Sequence, residues 1–274
     1  MRNAFANARY RISKALRYLP LIVWVAFFAV AFGWILLASF STNREIFSNG
    51  LLHSGFHFEN YLNVWQYNNV GRYFINSLLC TGIPCTLIIL ISAPAAYVLA
   101  KKTFFGKKAT FNAFVVGMSV PQVMVVIPLY CWFVRAELVG HLATLLILYT
   151  GMNVPYTVFF LTSFFTTVPS SLAEAAMIDG CTETKALWKV MIPLASPGII
   201  TVTIFNFMVI WNEYFMALIF ANGNDEIRTL SMGLQNIITA MTYTGDWAGL
   251  FAAVIMVLLP TLVLYLLLSE KIVS

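Results

Sequence analysis

Residues 19–40 read LPLIVWVAFFAVAFGWILLASF, 22 consecutive positions without a charged side chain. A helix rising about 1.5 Å per residue carries such a run ~33 Å, close to the ~30 Å hydrocarbon thickness of a bilayer. Five more apolar runs follow, at 74–99, 111–134, 142–165, 197–221 and 249–268. None of the six contains Lys, Arg or Asp, and only the fifth carries a carboxylate, Glu213. The whole chain is 60% hydrophobic and 10% charged, against about a quarter charged in soluble domains. A soluble core in 274 residues could not hide that much apolar surface, whereas lipid can. A β-barrel needs alternating segments of about ten residues, and nothing here alternates. The expected fold is all-α: a polytopic membrane protein with six transmembrane helices.

Charge asymmetry orients it. With the N-terminus inside, the inner segments hold Arg2, Arg9, Arg11, Lys14, Arg17, Lys101, Lys102, Lys107, Lys108, Lys185, Lys189 and Lys271, and the outer loops hold Arg44, Arg72, Arg135 and Arg228. That is 12 against 4 of the 16 cations, the sign of the positive-inside rule. The net charge of +5 therefore reports topology and contact with anionic lipid, and no nucleic-acid partner is expected from cations dispersed along an apolar chain. The basic N-terminus resembles a signal peptide, but its apolar run exceeds the usual 7–15 residues and five spans follow, so an uncleaved first helix is expected.

Cys80, Cys85 and Cys131 fall in spans and Cys181 on the inner side, read as small apolar filler with no disulfide pair. His53 and His57 are spaced i, i+4 without a third ligand, so no metal site is expected. Segment 1–18 is read as a cytoplasmic basic segment that lies along the inner surface as a short amphipathic helix. The outer loop 41–73, with Tyr61, Trp65, Tyr67 and Tyr73, either anchors at the interface or caps the outer mouth against an external partner. The inner turn Lys101-Lys102-Thr103-Phe104-Phe105-Gly106-Lys107-Lys108 is tight and basic. Pro84, Pro94, Pro121, Pro128, Pro155 and Pro260 punctuate the spans; kinks there open grooves and permit rocking, and are also ordinary in membrane helices. Residues 1–274 are read as one transmembrane domain.

The segment 166–196 is too long and too well capped for a simple connection. Ser171 and Glu174 have capping-box spacing, the helix they start should run to about Asp179, and Gly180 suits the left-handed residue that closes it. Thr182 can start a second short helix through Trp188 and Val190, which Pro193 and Pro197 stop before the fifth span. The hairpin would offer an apolar edge, Ala175, Ala176, Ile178 and Leu187, to another protein; alternatively those residues pack against the bundle.

The pattern Glu174-Ala175-Ala176, Gly180, Val190, Ile192, Pro193 resembles the signature of permease subunits of binding-protein-dependent ABC importers, with Val190 and Ile192 where the family usually has Ile and Leu. Phe58-Glu59-Asn60-Tyr61, Tyr73-Phe74-Ile75-Asn76-Ser77, Ala96-Tyr97, Pro121 with Pro128, Pro169-Ser170-Ser171-Leu172 and Trp211-Asn212-Glu213-Tyr214 are similar to the carbohydrate branch, in particular the second permease of maltose-type and glycerol-phosphate-type systems. The resemblance covers about residues 56–268. It implies a type I ABC importer permease fold in the bacterial cytoplasmic (inner) membrane, with both termini cytoplasmic. Glu174, Ala175, Ala176, Asp179, Gly180, Val190, Ile192 and Pro193 would form the coupling helix gripped by a cytoplasmic ABC ATPase dimer. It also implies a second permease subunit in a heterodimer and an extracytoplasmic solute-binding protein. ATP and Mg would sit on the partner ATPase subunits: this chain has no Gly-x-x-x-x-Gly-Lys, Lys101 standing where the first Gly before Gly106-Lys107 belongs. Members often continue into a Gly-rich tail that enters the ATPase dimer, whereas this sequence stops at Glu270-Lys271-Ile272-Val273-Ser274, so that contact is absent or the tail has been removed. The cargo implied is a sugar or oligosaccharide; the alternative is an ABC permease for an amino acid, phosphate or polyamine.

A carboxylate at mid-membrane costs about 2.5–3.5 kcal/mol on insertion scales, so Glu213 should face protein or water. Asn206, seven residues earlier, lies on nearly the same helical face. Two readings stand. Asn206, Trp211, Asn212, Glu213 and Tyr214, with Asn153 of the fourth span, line a path suited to a neutral sugar. Or Glu213 is a helix–helix clamp to Asn153 or Tyr156.

Overall fold

A computed structural model describes residues 2–48, 50–221 and 223–273, with side chains placed for 17–48, 50–221 and 223–267. Among the described residues there is no strand. The α-helices are α1 (Arg2–Ser39), α2 (Asn43–Phe47), α3 (Glu59–Tyr67), α4 (Val70–Lys101), α5 (Lys107–Ser119), α6 (Gln122–Arg135), α7 (Leu142–Thr167), α8 (Ser171–Ile178), α9 (Glu183–Ala186), α10 (Ile192–Leu194), α11 (Ser196–Trp211), α12 (Phe215–Ala221), α13 (Leu230–Thr244) and α14 (Trp247–Val273). Arg17–Ser39 of α1, α4, α7 and Trp247–Leu267 of α14 are each long and apolar enough to cross a bilayer. Two bent pairs, α5 with α6 at 97° and Glu183–Leu194 with α11 at 74°, bring the spans to six if each pair is counted as one.

Three expectations need correction. Segment 2–18 is not a separate surface helix: α1 runs through it without a break, and Pro20 sits inside the helix. A single internal proline removes one hydrogen bond, which an uninterrupted apolar run tolerates. The third span is not one kinked helix. Val120 (φ −75°, ψ 121°) and Pro121 (φ −60°, ψ 130°) are both extended, as the steric demand of proline on its predecessor favours, and the helix stops and restarts. Ser119 Oγ donates to the Val115 carbonyl at 2.7 Å, so the last hydroxyl of α5 turns back onto its own helix. The fifth span is interrupted too, α11 ending at Trp211 and α12 resuming at Phe215.

The chain forms two compact units. The first comprises residues 1–68 and 237–256. The α1 flanks from Tyr18 to Leu37 are largely exposed, with Trp24, Phe27, Val30 and Phe32 outward, as lipid contact requires. The C-terminal end of α1 is fixed by Asn60 Nδ2, which donates to the Ser39 and Ser41 carbonyls at 3.0 Å each, and by a 2.6 Å bond between Ser39 Oγ and Tyr61 Oη. Buried Glu45 organises the following loop. Its carboxylate accepts from the Thr42 amide (2.8 Å) and from the Ser54 amide and hydroxyl (2.6 and 2.7 Å). Those donors hold its pKa down from 4.5 to about 2, the Thr42 amide contributing most. Beyond Ser54, His57 bonds Ser54 Oγ through Nε2 (2.8 Å) and Glu59 through Nδ1 (2.7 Å).

The second unit comprises 69–236 and 257–274. Its largest helix–helix interface is α4 on α7. One core cluster joins Cys80, Cys85 and Ile88 of α4 to Leu145, Leu148 and Tyr149 of α7 and to Phe220. A second joins Ala93, Ala96 and Tyr97 of α4 to Leu161 and Phe165 of α7 and to Leu187, Met191 and Val202. α11 lies so close to α7 that a Cβ at Gly198 would stand 2.5 Å from the Phe164 ring. At the other end of α4, Asn76 Nδ2 donates to the Glu226 and Arg228 carbonyls (2.8 and 2.9 Å) and Ser77 Oγ accepts from the Leu230 amide (2.7 Å).

Candidate functional site

The segment after α7 folds into the expected hairpin, by partly different means. Ser170, not Ser171, occupies the N-cap of α8, and at φ −66°, ψ −27° it is helical with no side-chain cap bond. A capping residue needs extended dihedrals to turn its side chain back onto the first turn, so the Ser171–Glu174 box does not form; the box forms at Thr42 and Glu45 instead. Glu174 remains in the first turn of α8, exposed, where a carboxylate complements the helix dipole. The C-terminus closes as predicted. Gly180 is left-handed at φ +85°, its amide donates to Met177 O (3.1 Å), and the Cys181 amide donates to Ala176 O (3.0 Å), the paired bonds of a Schellman motif.

Thr182 caps the second helix, its hydroxyl accepting from the Lys185 amide at 3.3 Å. Pro193 does not stop this helix, which runs on to Leu194 and ends before Pro197, bending 74° into α11. The chain widens to a π-turn over Leu187–Met191, with the Ile192 amide bonded five residues back to Leu187 O, and turns at Ala195 into α11. Pro197 sits in the first turn of α11, where its missing amide has no partner to lose.

The hairpin has two faces. Ala173, Ala186, Leu187, Met191 and Ala195 are buried, and Ala176, at 9% exposure, is buried too. Of the anticipated apolar edge, then, Ala176 and Leu187 point inward, while Ala175 and Ile178 (87% exposed) point outward with Leu172, Trp188 and Leu194. Glu174, Asp179, Gly180 and Pro193 are exposed; Val190 and Ile192 are half-buried. Two lysines of the basic turn bind the hairpin to the C-terminal end of α4. Lys101 Nζ donates to the Val168 carbonyl, and Lys102 Nζ pairs with Glu183 Oε1 at 2.5 Å. The hydrogen bond it donates to Glu183 raises the Lys102 pKa against a smaller opposing effect of burial.

The polar residues of the spans sort into two groups. A cavity of about 390 Å³ opens beside the α5–α6 break and is lined by Gln122, Asn153, Tyr156 and Asn206 among apolar neighbours. Trp211, Asn212, Glu213 and Tyr214 are not in its lining. Trp211 is buried, its Nε1 donating to Val257 O at 3.1 Å. Asn212 Nδ2 bonds its own helix at Met208 O (2.8 Å), and Tyr214 packs on the first core cluster. Glu213 is a clamp, but to neither anticipated partner: Tyr149 Oη donates to Oε2 at 2.7 Å, and the amides of Met216 and Ala217 donate at 2.7 and 3.0 Å. The break after Trp211 rotates Glu213 off the face of Asn206 and places it at the start of α12. Asn206 Nδ2 donates to Thr157 Oγ1 (2.9 Å), Thr157 Oγ1 to Asn153 O (2.8 Å) and Asn153 Nδ2 to Tyr149 O (2.8 Å). Residues of α7 that bond one another or their neighbours, Thr157, Asn153 and Tyr149, thus lie between cavity and clamp. Among the described residues no cluster of three His, Cys, Asp or Glu could hold a metal.

Comparison with known proteins agrees with this architecture. Residues 88–269 match the family model described as the binding-protein-dependent transport system inner membrane component. The chain is 32% identical to a diacetylchitobiose uptake system permease protein of Streptomyces coelicolor, over 94% of this chain and 85% of that protein. It is 31% identical to a sulfoquinovosyl glycerol transport system permease protein of Agrobacterium fabrum, over 88% and 84%. A chain in the crystal structure of a bacterial ABC transporter involved in import of the acidic polysaccharide alginate superposes with a TM-score of 0.82 over 95% of this chain and 96% of that one, at 21% identity, so the fold is shared. The chain therefore belongs to the binding-protein-dependent inner membrane components: it is a membrane-spanning permease subunit of an ABC importer, a transport component and not an enzyme.

Proposed function

We propose that this subunit forms half of the translocation path for a sugar or oligosaccharide, paired with a different permease chain, with both termini and the α8–α11 hairpin on the cytoplasmic side. The outward face of the hairpin, Leu172, Ala175, Ile178 and Trp188, docks on the ATPase dimer that binds ATP and Mg. Glu174, Ala176, Asp179, Gly180, Val190, Ile192 and Pro193 shape that face or stand beside it. Closure of the ATPases on ATP draws the permease halves from inward- to outward-facing, and a solute-binding protein delivers cargo from outside. The observation that carries the reading is a well-capped apolar hairpin whose exposed side chains lack cover while its base is tied to α4.

The sugar assignment is supported by the substrates named for the relatives and by the chemistry of the 390 Å³ cavity. Its polar lining is amide and phenol, with no charged residue among those that line it. Such a lining suits hydroxyls and offers no opposite charge to phosphate or a polyamine. In proteoliposomes of the assembled importer, Gln122→Ala and Tyr156→Ala should each raise the solute concentration for half-maximal uptake about tenfold, the equivalent of about 1.4 kcal/mol. Unchanged uptake in both variants would remove Asn153, Asn206 and their neighbours from the path.

A further inference from the structure

The turn 101–108 carries four lysines, and the hairpin uses two. Lys101 is taken by the Val168 carbonyl and Lys102 by Glu183. Lys107 and Lys108 have no acidic partner among the described residues, and both stand at a groove of about 940 Å³ between the ends of α4 and α7 and the start of α5. This groove lies outside the path already described, and its chemistry is graded. Lys107 and Lys108 lie at the polar end; Asn112, four residues along α5 from Lys108 and so on the same face, comes next. Leu99, Phe104, Phe111 and the α7 flank form the rest of the wall.

The two threonines on that flank do not make it polar. Thr162 Oγ1 donates to Val158 O (2.7 Å) and Thr166 Oγ1 to Ser163 O (2.5 Å), so each hydroxyl is spent on its own helix. Thr162 lies four residues deeper than Thr166, about 6 Å along the axis, so the groove descends from the interface into hydrocarbon depth. Below Asn112 a sugar would find no free side-chain donor among the lining residues. Beside the groove, Phe105 is fully exposed, a ring placed to enter the interfacial layer.

We infer that this groove holds one anionic phospholipid of the inner leaflet, its phosphate between Lys107 and Lys108 and an acyl chain along Leu99, Phe111 and the α7 flank. Basic pockets between membrane helices on the cytoplasmic side are favourable sites for acidic headgroups, each lysine near an anionic surface being worth about a factor of five in affinity. Lipid bound there would brace the same α4 end that anchors the hairpin, making the coupling unit sensitive to membrane composition. The inward placement of the turn is taken from the orientation proposed above.

The test uses the intact importer, with its ATPase and partner permease, purified from membranes containing phosphatidylglycerol and phosphatidylethanolamine. Retained lipid is read by native mass spectrometry. One phosphatidylglycerol should persist per copy of this chain. Lys107→Gln with Lys108→Gln should lower its occupancy constant roughly thirtyfold, the product of two lysines. Ala109→Trp, which fills the groove without changing charge, should remove the lipid equally. Equal retention in all three proteins would overturn the assignment. So would release of the second permease by Ala109→Trp, since the groove would then be a protein interface, or saturable binding of inorganic phosphate with no retained lipid. Labelling of a Phe105→Cys variant from the inside checks the orientation separately, so that its failure is not mistaken for failure of the lipid site.

Discussion

Two carboxylates show what a single side chain does in this protein. Glu213 was conspicuous in the sequence because it is the lone acid in an apolar run. Its partner was not legible, because the turn of the helix at 212–214 decides which face it occupies and a continuous helix would have aimed it at Asn206. As the cap of α12 and the acceptor of Tyr149, it is a structural group. Glu213→Gln should lower the stability of the detergent-solubilised importer by on the order of 1–3 kcal/mol, with little change in the solute concentration for half-maximal uptake. A shifted half-maximal concentration at unchanged stability would return it to the path. Glu45 went unnoticed in the sequence because Thr42-x-x-Glu45 lies in a loop, while the same spacing at Ser171 and Glu174 sat before an apolar run and drew attention. Extended dihedrals at Thr42 and helical ones at Ser170 reverse that expectation. The folded pKa of Glu45 is depressed from 4.5 to about 2. Its contribution is therefore complete above about 4.5 and disappears as pH falls towards 2. Hydrogen exchange at the Ser54 amide should stay slow at pH 5 and 6 and accelerate progressively below pH 4.5; Glu45→Gln should show the fast rate throughout, and a pH-independent rate in the native protein would contradict the assignment.

At the scale of elements, the hairpin was readable where local chemistry governs it and unreadable where packing does. Gly180 and Thr182 fixed its turn and second cap, since a left-handed closure and an N-cap are short-range events. Which residues face outward, and the survival of helix through Pro193, depended on the core formed with Ala93, Ala96 and Phe165 and on the π-turn that absorbs the misfit. The bridge from Lys102 to Glu183 joins segments 81 positions apart (183 minus 102), beyond any pattern in a single sequence. It is solvent-accessible, so its worth is about 0.2–1 kcal/mol. Because Glu183 raises the lysine pKa, the pair is intact below the ordinary lysine range and yields only as pH rises past it. Lys102→Glu and Glu183→Lys should each reduce solute moved per ATP hydrolysed, by up to about fivefold if the whole interaction serves coupling; the double reversal should recover most of the loss. Failure of the double variant to recover any of it would mean that the residues act separately.

For the whole molecule, span number and class followed from apolar length, because the bilayer thickness is a constraint external to the chain. The interruptions at Val120–Pro121 and Asn212–Tyr214 were hidden inside those lengths, and they matter because the first opens the cavity and the second builds the clamp. The account as a whole rests on the hairpin being the handle by which an ATPase moves this subunit. Ile178 is its most exposed large apolar residue and belongs to neither core cluster. A photo-crosslinking side chain at Ile178, activated in native membranes during transport, should trap the ATPase subunit as the dominant adduct, with a yield that changes between nucleotide-free and ATP-bound states. Adducts confined to lipid or to this chain, while transport runs at full rate, would contradict the account.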